Sequence, residues 1–96
     1  MKRHLAHILV EHRYEAEDLL RQLRGLKEPS EFGPVFEKLA RRHSRCPSAA
    51  QGGDLGLIDL RRLDPVFSEE AEGLAVNALS PIVRTRFGHH LIWRKA

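Results

Sequence analysis

The sequence predicts an α+β domain in which helices surround a small, mostly antiparallel sheet. Three observations predict this class. A short apolar segment typical of a buried strand lies near the start of the chain, two more lie near its end, and the residues between them show helical periodicity. The length of 96 residues is enough for one domain and not two, so we expect a single domain over residues 1–96.

The first strand is predicted over residues 5–10. Its period of two places Leu5, His7 and Leu9 on one face and the residues at 6, 8 and 10 on the other. A histidine in an apolar strand is most often a core residue whose hydrogen bonds are satisfied. It gains a functional meaning when a second polar group meets it.

The next element is a helix over about residues 13–24, which Gly25 ends. Residues at the spacing i, i+3, i+4 and i+7 form its buried stripe, and they are Ala16, Leu19, Leu20 and Leu23.

A second helix is predicted with Pro34 in its first turn, where a missing N–H costs nothing, and with its end near Arg42. A polar linker over residues 26–31 and a small insertion-like loop over residues 31–33 precede it. One face of this helix is expected to carry Phe36, Leu39, Ala40 and His43.

The connection over residues 43–56 has neither helical nor strand periodicity, and it holds the only cysteine, Cys46. Connections of this length are uncommon in compact domains and are usually functional or disordered. The Gly52-Gly53 pair favours disorder, whereas the closely following apolar Leu55 and Leu57 favour burial. We expect an ordered, functional loop.

A short strand near residues 57–58 and a helical turn at residues 60–62 follow the loop. Asp64 as N-cap and Pro65 at the first helical position then open a third helix, which stops near Gly73. Its inward side chains are expected to be those of Val66, Phe67, Ala71 and Leu74.

Strands at residues 81–85 and 89–94, joined by a tight turn, complete the sheet. Period two places His90 and Ile92 on one face of the last strand, with Leu91 and Trp93 on the other. If the first and last strands pair at the centre of the sheet, His7 and His90 come together.

Composition excludes several classes of protein. The formal net charge of +3 is far from that of a dedicated nucleic-acid binder, so we expect no nucleic-acid partner. No apolar run is long enough for a signal peptide or a membrane helix. A single cysteine excludes an intrachain disulfide and favours a reducing compartment. We therefore expect a cytoplasmic protein, or a domain cut from a longer cytoplasmic or periplasmic one, since Met1 directly precedes the first strand.

The combination of Cys46, His7 and His90 allows several interpretations. A zinc site would need a local pair such as Cys-x-x-Cys, which is absent, and His89 and His90 point to opposite strand faces. A cysteine–histidine nucleophile lacks any accompanying signature of an oxyanion hole. The remaining interpretations are a polar cluster beneath a bound peptide, without a covalent step, and a buried thiol with two core histidines.

Five segments resemble the parvulins, a family of peptidyl-prolyl cis–trans isomerases. They occur in family order and spacing across nearly the whole chain: AHILV at 6–10, LARRHSRCPS at 39–48, GGDLG at 52–56, LDPVF at 63–67 and TRFGHHLI at 85–92. The resemblance implies a four-stranded, mostly antiparallel sheet surrounded by helices, in the order β-α-α-α-β-α-β-β. It also implies noncovalent rotation of X–Pro bonds in polypeptide substrates, with no cofactor and no metal.

The resemblance assigns roles to eight residues. His7 and His90 are the paired histidines beneath the active site, Cys46 is the loop residue beside the reacting bond, and Thr85 joins their hydrogen-bond network. The pocket for the proline ring is implied to consist of Leu55, Leu63 and Phe67, with Phe87 at its rim.

The chain departs from the family at two places. Parvulins that prefer phosphorylated substrates carry a basic loop after the first strand, whereas this chain has only residues 11–13, which begin with Glu11. We therefore expect a neutral or apolar residue before proline in the substrate. The segment 57–63 lacks the usual aromatic near Ile58 and glycine near Arg61, and leucine replaces methionine at position 63. A catalytically weak, peptide-binding chaperone module is thus the alternative function, and we expect a monomer in either case.

Overall fold

The computed structural model describes residues 2–96 and forms one four-stranded sheet with helices on both faces. Met1, which the predicted domain includes, lies outside the described residues. The elements in chain order are β1 (Lys2–Val10), α1 (Arg13–Arg24), α2 (Pro29–His43), a 3₁₀ turn (Pro47–Gln51), β2 (Asp54–Asp59), a second 3₁₀ turn (Leu60–Arg62), α3 (Pro65–Glu72), β3 (Val83–Thr85) and β4 (Gly88–Arg94).

The sheet has the strand order β2-β1-β4-β3, and every neighbouring pair is antiparallel. The predicted α+β class and sheet are therefore confirmed. The helix expected between α2 and β2 is a short 3₁₀ turn, and β2 begins at Asp54, inside the predicted loop and three residues before the predicted strand. Strand β1 begins at Lys2, earlier than predicted, because its first residues pair with the end of β2.

Each face of the sheet carries its own apolar cluster. The residues at positions 6, 8 and 10 of β1 pack with Leu91 and Trp93 of β4 under α1 and α2. On the other face, Leu5 and Ile92 pack with α3. The alternation predicted for the first and last strands is confirmed, and His7 and His90 lie on the α3 side.

Helix α1 has the predicted bounds, and all four residues of its predicted stripe are buried. Its first turn is closed by the backbone N–H of His12, which donates to the Glu15 carboxylate at 3.0 Å.

Helix α2 begins five residues before Pro34, so the predicted start and the insertion-like loop over residues 31–33 were wrong. Pro29 occupies the first helical position, and the Glu28 N–H donates to Glu31 at 3.4 Å. These two features start the helix early, although Pro34 inside it offers no N–H to the carbonyl four residues before. His43 is exposed because it ends the helix, beyond the buried stripe that finishes with Ala40.

Helix α3 starts as predicted, with the Asp64 carboxylate accepting the Val66 N–H at 2.9 Å. Phe67 and Ala71 are buried, but Val66 is exposed and does not face inward as predicted. Val66 lies about 100° around the helix from Phe67, so both cannot face the sheet. Strand β3 starts two residues later than predicted, at Val83, because Pro81 has no N–H to pair.

Candidate active site

The central strand pair brings the two predicted histidines together. In the register of β1 and β4, His7 lies opposite Ile92 and Leu9 lies opposite His90, so the two imidazoles are diagonal neighbours on one face. Their Nδ1 atoms are 3.1 Å apart, and their rings stack with centroids 5.2 Å apart. One of the two nitrogens must carry the proton that the other accepts.

Thr85 on β3 extends this pair into a chain of three side chains. Its Oγ1 lies 2.7 Å from Nε2 of His90 and accepts the Phe87 N–H at 3.1 Å. If the Thr85 hydroxyl donates to His90, then His90 donates to His7, and Nε2 of His7 is a donor. If His90 donates to Thr85, the order reverses and Nε2 of His7 becomes an acceptor. That nitrogen is buried and has no partner among residues 2–96.

Both histidines are held neutral near physiological pH. The pKa of His7 falls to about 4 because burial disfavours its charged form and because His90 lies beside it. The pKa of His90 also falls to about 4 through burial, although the Asp64 carboxylate acts in the opposite direction. The site is therefore a buried, uncharged hydrogen-bond chain.

The loop that carries Cys46 is fastened to β1 by backbone hydrogen bonds. The Arg45 N–H donates to the Leu9 carbonyl at 2.7 Å, and the Leu9 N–H donates to Oγ of Ser44 at 3.0 Å. Pro47 then starts the 3₁₀ turn, with Cys46 as its N-cap residue. This loop is therefore ordered, as predicted, but hydrogen bonds to β1 hold it in place, and the Leu57 side chain expected to be buried is 68% exposed.

The far end of the loop is fastened to the same strand. The His7 N–H donates to the Gly53 carbonyl at 2.9 Å. Gly53 has φ +84°, and a Cβ built there would overlap the carbonyl oxygen of His7. Only glycine allows the loop to approach β1 this closely.

Asp54 organises the segment that follows. Its carboxylate accepts the Gly56 N–H at 2.7 Å, lies 2.8 Å from Nε2 of His4 and accepts from Lys95 at 3.2 Å. Burial alone would raise the pKa of Asp54, but these three donors outweigh it and the pKa is lowered. The Asp54 carboxylate thus fixes the backbone at positions 54 and 56, on either side of Leu55.

These elements enclose a cavity of about 440 Å³ whose accessible lining is almost entirely apolar. Phe67 meets the rings of His7 and His90 edge-on, with centroid distances of 5.4 Å and 5.1 Å. Phe87 is 59% exposed and lies at the rim. The lining residues are His7, Leu9, Arg45, Cys46, Pro47, Leu55, Leu63, Asp64, Phe67, Phe87 and His90.

Seven of the eight predicted site residues therefore line one cavity, and the eighth, Thr85, contacts it through His90. Four other lining residues were not predicted. Leu9 was detectable from its face of β1, shared with His7, and Arg45 and Pro47 flank Cys46. Asp64 was assigned only as a helix cap, yet it also lines the cavity.

Two of the lining residues, Arg45 and Asp64, belong to charged pairs. Arg45 donates to the Glu11 carboxylate at 3.2 Å, and Nε of Arg86 lies 3.8 Å from Asp64. The Arg86 guanidinium also stacks over the Phe87 ring, 4.9 Å from its centroid. The Arg45 and Arg86 side chains thus have intramolecular partners at the cavity mouth.

The described residues contain no group of three or more His, Cys, Asp or Glu side chains placed to hold a metal ion. None of the helices within residues 2–96 has both the length and the apolar character needed to cross a bilayer.

Comparison with known proteins places this geometry in a family. The chain is 43% identical over 94 residues to chaperone SurA of Methylococcus capsulatus, covering 95% of this chain and 21% of that protein. It is 39% identical over 79 residues to peptidyl-prolyl cis-trans isomerase Pin1 of Digitalis lanata, covering 81% of this chain and 67% of the relative. The chain thus spans about a fifth of the length of the SurA relative.

Comparison with solved structures indicates the same family. The solution structure of NmPin, the parvulin of Nitrosopumilus maritimus, superposes with a TM-score of 0.81 at 29% identity, covering 99% of this chain and 96% of the other. Residues 7–96 match the family model described as rotamase, PPIC-type PPIase domain. The chain belongs to this family, the parvulin-type peptidyl-prolyl cis–trans isomerase domains.

Proposed function

We propose that this domain accelerates rotation about X–Pro bonds in polypeptides by binding, without a covalent intermediate. The observation that carries the proposal is the single apolar cavity whose wall contains His7, His90, Cys46 and Phe67 together. A proline ring is apolar and compact, and a concave apolar site is the kind that would hold it.

The energy requirement is modest. The barrier to rotation is ~18–20 kcal/mol, mainly from lost amide resonance. A thousandfold acceleration needs only about 4 kcal/mol of stronger binding to the twisted bond than to the planar one. The planar amide is the more polar form, so an apolar cavity disfavours it more than the twisted form. No cofactor is needed for this effect.

The proposed roles follow from position. Leu55, Leu63 and Phe67 contact the proline ring, and Phe87 covers it from the rim. The thiol of Cys46 lies beside the reacting amide and adjusts its charge. His7, His90 and Thr85 keep the floor of the cavity neutral and rigid through their hydrogen-bond chain.

Two features argue against a covalent step. Cys46 forms no hydrogen bond to either histidine within residues 2–96, so neither imidazole is positioned to take its proton. The pKa of about 4 for His7 and for His90 also makes both poor general bases at neutral pH.

The preferred substrate carries a neutral or apolar residue before proline. The one cation that lines the cavity, among the described residues, is Arg45, and Glu11 already accepts its hydrogen bond. An anionic residue before proline would have to displace Glu11 from Arg45. Because one carboxylate would only replace another, the exchange adds little binding free energy. Proline-containing polypeptides are the proposed substrate class. The monomeric state and the cytoplasmic location stay predictions.

Exchange spectroscopy by NMR on an Ala-Pro peptide tests the proposal directly. The domain is expected to broaden or exchange the cis and trans signals at substoichiometric concentration. Cys46→Asp should retain substantial activity, because an acid can serve as the noncovalent polar group. Complete loss of activity in a folded Cys46→Asp protein would indicate covalent chemistry instead.

The alternative is a module that holds proline-containing segments with little turnover. The observation in its favour is the similarity to a protein named chaperone SurA, of which this chain spans only a fifth. The same peptide separates the two functions. Saturable chemical-shift changes at the cavity without cis–trans exchange would support the holding function, and exchange would support the isomerase.

A further inference from the structure

A second groove, of about 650 Å³, lies along α1 and has no lining residue in common with the histidine cavity. Helix α1 packs on the sheet face opposite to His7 and His90. Its lining includes three arginines, one glutamate and two large apolar side chains. They are Arg13, Arg21, Arg24, Glu17, Leu20 and Ile82. We refer to it as the arginine groove.

The spacing of the charges defines an elongated site. Arg13 and Arg24 are eleven residues apart on one helix, which places them within about 20° of the same line and about 16 Å apart. Leu20 lies between them on the same line, with Ile82 opposite. Both arginines are exposed, and neither forms an ion pair with another residue of the range 2–96.

The third arginine is only weakly engaged. Arg21 pairs with Asp18 at 3.0 Å, but both side chains are mostly exposed, and such pairs contribute little. Glu17 is the one carboxylate among the lining residues. The lining residues therefore carry more positive than negative charge, with an arginine at each end of an apolar strip.

We propose that the arginine groove binds an acidic, extended peptide segment of about five residues with one apolar side chain near its centre. An extended chain rises about 3.3 Å per residue, so about five residues span Arg13 to Arg24. Carboxylates at the two ends of the segment pair with these arginines, and the apolar side chain rests on Leu20 and Ile82.

A peptide fits the groove better than a nucleic acid does. A nucleic-acid strand carries a phosphate about every 3.4 Å, more negative charge over this length than Arg13 and Arg24 can match. The floor at Leu20 is apolar, and the Glu17 carboxylate would repel a phosphate backbone while an alternating peptide can avoid it.

The test is a titration of the isotope-labelled domain with the blocked pentapeptide Glu-Ser-Leu-Ser-Glu, followed by amide chemical shifts. This peptide has no proline, so binding at the isomerase cavity is a separate event. We expect shifts at Leu20, Arg24 and Ile82, and weaker binding when salt is raised from about 0.05 to about 0.3 M.

Charge variants provide matched controls. Arg13→Gln with Arg24→Gln should weaken binding about fivefold, and Glu17→Gln should strengthen it about twofold. Arg41→Gln with Arg42→Gln makes the same change in net charge on exposed positions of α2 and should leave binding unchanged.

Several results would overturn the proposal. They are an absence of shifts, shifts confined to the histidine cavity, or equal weakening by both double variants, which would indicate a bulk charge effect. Displacement of the peptide by a ten-residue oligothymidylate at the same amides would assign the groove to nucleic acid instead. Isomerase activity does not enter any of these readouts.

Discussion

Gly53 and His7 are joined backbone to backbone, with the His7 N–H donating to the Gly53 carbonyl at 2.9 Å where no side chain can fit between them. This contact ties the end of the Cys46 loop to the strand that carries the first histidine. The position of the thiol relative to the imidazoles therefore depends on a residue without a side chain.

Gly53→Ala is expected to destabilise the domain by about 3 kcal/mol and to lower its isomerase activity. The φ of +84° alone costs roughly 1–2 kcal/mol for alanine, and the overlap with the His7 carbonyl adds to it. Urea unfolding and peptide exchange measure the two effects. Gly56→Ala is the control, because Gly56 also has positive φ, +71°, but an added Cβ meets nothing within 4 Å. Equal losses in both variants would refute a role for the contact.

Thr85→Val should lower the free energy of unfolding by about 1–3 kcal/mol and reduce activity. The methyl group keeps the shape of threonine but leaves Nε2 of His90 and the Phe87 N–H without their partner. Thr85→Ser keeps the hydroxyl and should restore most of the activity. If the valine variant were fully active in the peptide exchange assay, the hydrogen-bond chain would have no part in function.

Stability is expected to fall as the pH is lowered from about 6.5 to about 4. Both buried histidines have a folded-state pKa of about 4 against an ordinary value of 6.5, so in this window the unfolded chain binds protons that the folded one does not. By linkage the loss is on the order of 3 kcal/mol for each histidine. Urea unfolding at a series of pH values measures it.

Two histidine variants test which side chains cause this pH dependence. His90→Asn should lower the slope of the curve between pH 6.5 and 4 by about half, since His7 remains, whereas His43→Asn removes an exposed histidine and should leave the slope unchanged. A wild-type curve that is flat across this window would show that the two imidazoles are not held neutral by burial.

Phe67→Leu should raise KM for an Ala-Pro peptide several-fold, since the ring that meets both imidazoles edge-on also forms part of the cavity wall. The matched control is Phe36→Leu, which alters an equally buried ring on the opposite sheet face. Both variants should lose stability to a similar extent, by about 1 kcal/mol. An unchanged KM in Phe67→Leu would remove Phe67 from the proline site.

Glu11→Gln should shift the substrate preference toward an acidic residue before proline. The substitution removes the carboxylate that holds Arg45 and leaves its guanidinium available at the cavity. The readout is the ratio of exchange rates for Glu-Pro and Ala-Pro peptides, expected to rise about threefold. Glu72→Gln makes the same change in net charge on an exposed residue and should leave this ratio unchanged. A wild-type domain that turns over phospho-Ser-Pro fastest would contradict the assignment.

The fold was largely predictable because its signals are local. Period two in the first and last strands identified the face that His7 and His90 share, and the Asp64-Pro65 pair marked the start of α3. The start of α2 was mispredicted because two prolines, Pro29 and Pro34, offer competing helix starts, and only the hydrogen bond to Glu31 distinguishes them.

The residues of the cavity wall were harder to predict from the sequence than the fold. The pairing of Arg45 with Glu11 joins residues 34 apart, and Asp64 faces the cavity while it caps a helix. Both depend on how loops pack in three dimensions, for which no periodicity exists in the chain. The roles assigned through the family resemblance stay predictions until the variants are measured.

The two imidazoles at the floor of the cavity come from positions 83 residues apart, one near each end of the chain. Closing so long a loop is slow compared with forming a helix, because chain entropy must be lost before any contact rewards it. Until β4 is inserted beside β1, neither the floor of the cavity nor the central strand pair exists. Turnover of a proline peptide is thus expected to report that β1 and β4 have paired.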